Sequence, residues 1–410
     1  MGRPMGPGQA TARRMLLAAA LAFAAPVSGY VDLHIHLAAH LTVPVYGAGP
    51  ERPAPADLTN EHGLRAQLFL DQLEAPGPAV LVSLAYANPF TTVFESKASM
   101  EARIERQLVF VEGFCARHAD RFGLARTPEE ARAIVASGRK AIVHGIEGAT
   151  LLLDGPEDAQ RWADRGVAVI TPIHLADNEF GGAWCQSGSL AWLNLPGCRR
   201  ERADPAAHGL TPAGRAAVEA LVAAGVVVDL AHMSHASFAE ATAILRDRGA
   251  APVYTHATSF AVSDDPTAMR DDELLTVEAL GGLVGITANP DHLRPRPEIV
   301  RPSGDCPGSV DDLKRHWDHM VGVLGGGPLG WGSDFQGGID HLRPEFGPRG
   351  CASAPVGVER GFAVEGLAHA DLVDPMFAAL AEAGADRAPL DASAERFLSL
   401  WARDRAIAGR

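Results

Sequence analysis

Eight short apolar runs, at 31–36, 79–86, 140–147, 166–174, 225–232, 251–256, 282–287 and 329–334, recur along the sequence and set its architecture. Between them lie amphipathic stretches of helical period at 61–75, 98–118, 128–137, 157–164, 212–224, 236–248, 271–280 and 310–324. Some open on a capping residue followed by proline, as in Thr127-Pro128 and Thr211-Pro212, a position where the missing proline N–H costs no hydrogen bond. Strands that are apolar on both faces and separated by helices call for a parallel sheet, and eight such units close into a barrel. The expected fold is therefore α/β: a (β/α)8 TIM-type barrel, with further helices at 375–384 and 391–402 packed outside it. A chain of 410 residues suits one such barrel with insertions, and neither an internal repeat nor an interdomain linker is readable, so 30–410 reads as a single catalytic domain.

The ends of these strands carry the chemistry. In Val31-Asp32-Leu33-His34-Ile35-His36, alternation puts Asp32, His34 and His36 on one face and Leu33 and Ile35 on the other. Two imidazoles on one stiff strand can grip one metal ion. Further on, the third strand ends in Glu147, the fifth in His232, the sixth in His256 and the eighth in Asp334. Parallel barrel strands deliver their C-terminal residues to one mouth, so all six side chains are expected on one rim. Four imidazoles and a carboxylate exceed what a single catalytic zinc requires, which points to two zinc ions bridged by Glu147. Such a pair lowers the pKa of water from about 15.7 to about 7 and polarises a carbonyl, while Asp334 carries the proton to a leaving nitrogen. Long Pro- and Gly-containing segments at 41–60, 177–209 and 291–308 follow strands and are expected to build the substrate pocket.

Composition excludes several classes. With 47% apolar and 21% charged residues the chain is a globular protein, and a net charge of -14 argues against nucleic acid or an anionic membrane surface as a partner. Arg13-Arg14, an apolar run from Met15 to Ala25 and then Pro26 to Gly29 read as a secretory signal over 1–29, too short to span a bilayer. The expectation is an exported protein, periplasmic or secreted, or a cytoplasmic one if that segment is retained as a helix. In an oxidising compartment Cys185 would pair with Cys198 and Cys306 with Cys351, leaving Cys115 of the five cysteines. His316 and His319 fall on a helix with i, i+3 spacing and read as part of a solvated face, His235 as a loop residue near His232, and Trp184 and Trp192 as a pocket wall or as pins for their loop.

Taken together, Asp32-Leu-His-Ile-His36, Gly145-Ile-Glu-Gly148, His174 with Asn178, Gly209-Leu-Thr-Pro-Ala-Gly214, Val228-Asp-Leu-Ala-His-Met-Ser234, Pro252-Val-Tyr-Thr-His-Ala-Thr-Ser259, Gly281-Gly-Leu-Val-Gly285 and Gly330-Trp-Gly-Ser-Asp-Phe-Gln-Gly337 resemble the membrane (renal) dipeptidase family of zinc peptidases, in the amidohydrolase superfamily. The resemblance spans roughly three quarters of the chain. It implies a binuclear zinc barrel in which His34 and His36 hold one metal, His232 and His256 the other, Glu147 bridges, Asp334 is the catalytic acid-base and His174 contacts substrate. Three positions depart from the family pattern. His36 stands where the family has Asp, Gln336 where it commonly has a second Asp, and Thr267 where it has an arginine that grips the substrate carboxylate. Arg270, one helical turn from Thr267, is the candidate replacement.

The expected activity is hydrolysis of the amide of dipeptides or similar small N-acyl amino acids. A related amidohydrolase acting on a different small amide, lactam or ester is the alternative, and an exported metal- or ligand-binding protein without turnover is a third reading. Fold analogy adds a homodimer formed through outer helices.

Overall fold

The structure, a computed structural model, describes residues 26–47, 49–54, 65–86, 95–185, 192–299, 306–347, 350–353, 357 and 361–409. The apolar run of the signal-like segment and the first residues of the stretch at 61–75 lie outside these; within the described part of that stretch, helix is confined to Leu70–Leu73.

Nine strands are assigned among the described residues: β1 Val31–Ile35, β2 Val80–Tyr86, β3 Phe122–Ala125, β4 Lys140–Glu147, β5 Val167–Thr171, β6 Val227–Val228, β7 Val253–Ala257, β8 Leu283–Ile286 and β9 Gly330–Trp331. Eight of them run in the order β6-β5-β4-β2-β1-β9-β8-β7, every pair parallel. The ring closes between β6 and β7 at one bridge, Asp229 to Val253, with the Leu230 N–H donating to the Val253 carbonyl at 2.9 Å. All eight expected strands are present, and the fold is the expected parallel barrel. β3 is additional. It pairs with the first half of β4, Phe122 with Lys140 through Ala125 with Val143, below the point where β5 takes over that edge at His144. Four residues including a glycine offer too short a pattern to be read as a strand.

Helices cover the outside, each where an amphipathic stretch is expected: α1 Lys97–Arg117, α2 Pro128–Ala136, α3 Pro156–Asp164, α5 Pro212–Ala223, α6 His235–Arg248, α7 Asp271–Ala279 and α8 Val310–Val323. One more, α4 Leu195–Ala203, lies inside the segment expected to be loop. Thr127, Thr211 and Ser234 cap α2, α5 and α6 through side-chain oxygens that accept backbone N–H bonds, each cap contributing about 1 kcal/mol. Near the C-terminus α9, Val373–Glu382, packs against α8, while α10, Ser393–Ala408, runs beneath the N-terminal ends of the strands. Its Phe397, Leu398 and Trp401 join the lumen residues Val31, Leu33, Val82, Val253 and Leu283 in one apolar cluster. The Val31 N–H donates to Ser393 Oγ and the Ala251 N–H to Asp404, so this helix is the barrel floor.

At the opposite end, β1 and β7 depart from regular pleating. On β1 the partners step from Asp32–Leu81 to Ile35–Ser83, three residues against two, and on β7 they step from Tyr254–Val284 to Ala257–Ile286 in the same way. Each extra residue is a bulge, and a bulge re-aims the side chains that follow. This corrects one expectation: Asp32 does not share a face with His34 and His36. It lines a small hollow with Ile35, Leu81 and Lys140, on the other side of the strand from the two histidines. Glycine makes the second bulge possible, because a Cβ on Gly285 or Gly332 would collide with the Thr255 carbonyl oxygen.

His316 also differs from expectation. It is fully buried, accepting from the Ser259 N–H at 2.9 Å and lying 3.2 Å from the Leu293 carbonyl oxygen, and burial holds it neutral with a pKa lowered to about 3. His319, half-buried, pairs with Asp271 at 2.8 Å.

The floor carries a pH-dependent contact. Burial pushes the Asp404 carboxyl up to about 7, against about 3.9 for an unfolded aspartate. Between those values the folded chain holds a proton that the unfolded chain has released, so this contribution to stability is full below about pH 4 and is lost as pH rises to about 7. Asp404→Asn keeps an acceptor for Ala251 and cannot ionise. Denaturation midpoints measured from pH 4 to 8 are expected to fall less steeply in that variant than in the wild type, and identical slopes would remove Asp404 as their cause.

Candidate metal centre

The C-terminal ends of the strands converge on Glu147. Its Oε1 lies 3.0 Å from His232 Nε2, 3.2 Å from His34 Nε2 and 3.5 Å from His174 Nε2, and its Oε2 lies 3.5 Å from His36 Nε2. Asp334 Oδ1 stands 3.2 Å from His36 Nε2 and 3.6 Å from His34 Nε2. His256 completes the cluster, its ring centroid 4.3 Å from that of His34 and 4.8 Å from that of His232. Three sets of donor atoms are close enough to share an ion: His34 with His36 and Asp334, His34 with Glu147 and His256, and Glu147 with His174 and His232. His174, read in the sequence as a substrate contact, thus also stands within ligand distance.

Arg270 is not brought to the site. It is exposed at the N-terminus of α7 with its guanidinium 5.9 Å from the Phe260 ring centroid, and Thr267 is tied to Asp265 through its hydroxyl at 2.5 Å. Gln336 is buried, and its side-chain oxygen and nitrogen have no hydrogen-bond partner among the described residues.

The rings are held in the tautomers that metal binding needs. Thr255 Oγ1 donates to Asp229 Oδ2 at 2.8 Å, which leaves its lone pairs for His34 Nδ1 at 2.9 Å and His256 Nδ1 at 3.0 Å. With Nδ1 donating, Nε2 of each ring presents its lone pair to the cluster. Similarly, His36 Nδ1 donates to the Leu84 carbonyl at 3.2 Å. Asp229 itself accepts four hydrogen bonds, from the Ala231 and Thr255 N–H groups and from the Thr171 and Thr255 hydroxyls. Tyr86, at the end of β2, lies edge-on to both His36 and His174, with ring centroids 5.6 and 5.5 Å away. Its backbone is clamped by Gln107, which accepts from the Tyr86 N–H at 2.9 Å and donates to its carbonyl at 2.8 Å. Thr255, Asp229 and Tyr86 were not read as functional from sequence. Thr255 and Asp229 do fall inside the quoted motifs, and a hydroxyl directly before a ligand-type histidine is the signal that would have found Thr255.

Electrostatics fit a cation at this position. Burial disfavours charge on His34, yet Glu147 and Asp334 raise its pKa to about 9. Burial would raise Glu147, but His174 and His34 hold it well below the usual carboxylate range. Burial keeps His174 neutral, with a pKa lowered to about 3, and lowers His256 well below its ordinary value. Carboxylates and imidazoles gathered in one buried cluster form a donor set suited to zinc or a similar divalent ion. His232 and Asp334 both adopt left-handed backbone, φ 67° and 53°, a strain that concentrates at functional sites.

Comparison with known proteins places the chain. The model of the membrane dipeptidases, peptidase family M19, matches residues 29–346. The chain belongs to that family. A dipeptidase of Clonostachys rogersoniana, verJ, is 27% identical over 57% of this chain and 52% of its own length. An uncharacterised dipeptidase of Schizosaccharomyces pombe, C3A11.10c, is 29% identical over 47% of this chain and 41% of its own. The matched part therefore spans about half the length of these relatives. Among solved structures, the probable dipeptidase PvdM from Pseudomonas aeruginosa superposes with a TM-score of 0.69 at 18% identity, covering 98% of this chain and 100% of that one. A metallopeptidase from Rhodobacter sphaeroides, bound to a phosphinate mimic of the dipeptide L-Ala-D-Ala, gives a TM-score of 0.66 at 20% identity over 92% of this chain and 99% of that one. These two likenesses establish the fold.

Thr255 provides a test of the tautomer argument. Thr255→Val removes the acceptor for both His34 and His256, and metal affinity read by chelator competition is expected to fall roughly 10–100-fold, with Thr255→Ser restoring it. Equal affinity in the valine variant would show that the hydroxyl does not set these rings.

Proposed function

We propose that this member of the membrane dipeptidase family hydrolyses the amide of dipeptides or similar small N-acyl amino acids with two zinc ions. The observation that carries the reading is Glu147, a buried carboxylate whose two oxygens lie within 3.5 Å of four imidazoles from three different segments. His34 and His36 would hold one ion, His232 and His256 the other, and Glu147 would bridge them. Ions there supply acidification of a water and polarisation of the scissile carbonyl.

The chain's own residues do the rest. Asp334 lies at the rim within 3.6 Å of His34 and His36, where a carboxylate can take a proton and pass it to the leaving nitrogen. His174, kept neutral by burial, can donate to the carbonyl oxygen as it gains charge. His36 replaces an anionic ligand by a neutral one, so the pair of ions retains more positive charge than an aspartate there would leave.

The second reading, a different small amide, lactam or ester, is favoured by one observation. Among the described residues, the cavity above the cluster is lined by neither Lys nor Arg, and Arg270 lies away from it. Amidating the substrate C-terminus separates the two. Loss of cleavage supports a dipeptidase that requires the free carboxylate, and undiminished cleavage supports the alternative.

Export is part of the proposal. Cys185 pairs with Cys198 and Cys306 with Cys351, bonds that persist in oxidising compartments, and among the described residues no helix is long and apolar enough to cross a membrane.

The decisive measurement is amino-acid release from a dipeptide library by zinc-loaded protein and by Asp334→Asn. Turnover in the variant is expected to fall roughly 10²–10⁴-fold, the range that general acid-base catalysis contributes. Zinc content is measured alongside, and unchanged turnover would remove Asp334 from the chemistry.

A further inference from the structure

Two cavities meet at Trp184. One is the cavity over the metal cluster, bounded by Glu147, His174, His232 and Asp334, with about 640 Å³ of space including the solvent at its mouth. The other, a narrow hollow with about 10 Å³ open to water, lies behind the indole among Met233, Phe238, Tyr254, Thr267 and Glu273. Trp184 lines both. Its ring stands edge-on to His232, centroid to centroid 4.6 Å, and 6.3 Å from both His256 and Tyr254.

The backbone beneath the ring is fixed. The Trp184 N–H donates to the His232 carbonyl at 2.8 Å, Ala183 bridges Met233, and Cys185 is held in a disulfide to Cys198. The residue is 6% exposed, yet its Nε1 has no hydrogen-bond partner among the described residues. An indole N–H can only donate, and a buried donor without an acceptor costs roughly 1–3 kcal/mol. A ligand oxygen brought within reach of that nitrogen would satisfy it. The second hollow is also lined by His235, whose Nδ1 lies 2.6 Å from Glu273 Oε1.

We propose that Trp184 is the specificity-determining residue of this site: it partitions the two cavities, so the half of the substrate lying beside His232 and His256 carries a side chain no larger than that of alanine or serine. The proposal rests on the amide-hydrolase reading above and refines its substrate class. A side chain with several carbons meets the indole face, whereas a small one leaves room for an acyl or carboxyl oxygen to accept from Nε1. Removing the ring joins the cavities and opens a partly aromatic chamber, walled by Phe238 and Tyr254, that suits a bulky apolar side chain.

The test compares wild type, Trp184→Ala and Trp184→Phe, all zinc-loaded, on dipeptides in which Gly, Ala, Leu and Phe are varied at each position. In the wild type kcat/KM is expected to fall about 10-fold or more from Ala to Phe at one of the two positions. Trp184→Ala is expected to flatten that series to within about 3-fold, mainly through KM, and Trp184→Phe, which keeps the bulk and loses the N–H, to retain the size limit. Zinc content and thermal midpoint confirm that the variants are folded. An unchanged size series in folded, zinc-replete Trp184→Ala overturns the proposal.

The same peptides are titrated calorimetrically into each protein. If no peptide is cleaved but the binding series shows the size limit and its release, the hydrolase reading falls and the partition stands. If the binding series is also flat in the wild type, or no peptide binds, the partition falls as well.

Discussion

One carboxylate ties the barrel to its site. Asp229 lies at the seam where β6 and β7 meet through one bridge, and its Oδ1 accepts the N–H of Thr255 across that seam. The side chain thus supplies a lateral bond where the β6 ladder has ended after two residues. Its Oδ2 takes the hydroxyls of Thr171 from β5 and Thr255 from β7, so one buried side chain links three strands. The Thr255 hydroxyl then receives the Nδ1 protons of His34 and His256, two rings that stand side by side in the cluster. Closure of the fold and orientation of two ligand-type rings are consequences of the same four hydrogen bonds. Removing one partner of such a network leaves the others buried and unpaired, which costs more than the bond itself contributed.

The bulges on β1 and β7 make that arrangement possible. Regular pleating would send adjacent residues of a strand to opposite faces, yet Thr255 and His256 must act together and His34 must turn to the same side as Leu33. One extra residue in each strand achieves this, at the price of local ladder bonds. The glycines at 285 and 332 leave space for the displaced Thr255 backbone. Left-handed backbone at His232 and Asp334 is the same solution in the segments that follow β6 and β9. At each of these points regular structure is interrupted where a functional side chain is delivered.

This explains what could be read from the sequence and what could not. The strands were legible because both faces are apolar and helices of clear period separate them. The gathering of His34, His36, Glu147, His232, His256 and Asp334 was legible because a parallel barrel presents its strand ends at one mouth. Periodicity carries no mark of a bulge, so Asp32 was assigned to the wrong face. It carries no mark of partners distant in sequence either, so the Asp229–Thr255 network and the role of Gln107 behind Tyr86 remained hidden. His316 was misjudged because spacing on a helix does not say which face is covered, and here the Ser259 and Leu293 backbones cover it. Arg270 was chosen by helical proximity to Thr267, but the chain reaches that position as an exposed helix start and its guanidinium turns to Phe260.

The charge at the rim follows from the same geometry. Five imidazoles surround two carboxylates, and burial keeps His174 and His256 neutral. His34 is the exception because it faces both Glu147 and Asp334, and the proton it holds up to about pH 9 occupies the electrostatic position of a cation. If His34 binds an ion as proposed, that ion would take the place of the proton. A second aspartate at position 36 would have added a third negative charge within a few ångströms of the others. With His36 there instead, its Nδ1 anchored on the Leu84 carbonyl and its ring against Tyr86, the cluster keeps a donor while leaving its positive charge less compensated. Under the proposed reading, ions held at that rim would leave more charge to polarise a substrate carbonyl than they would beside an aspartate at position 36.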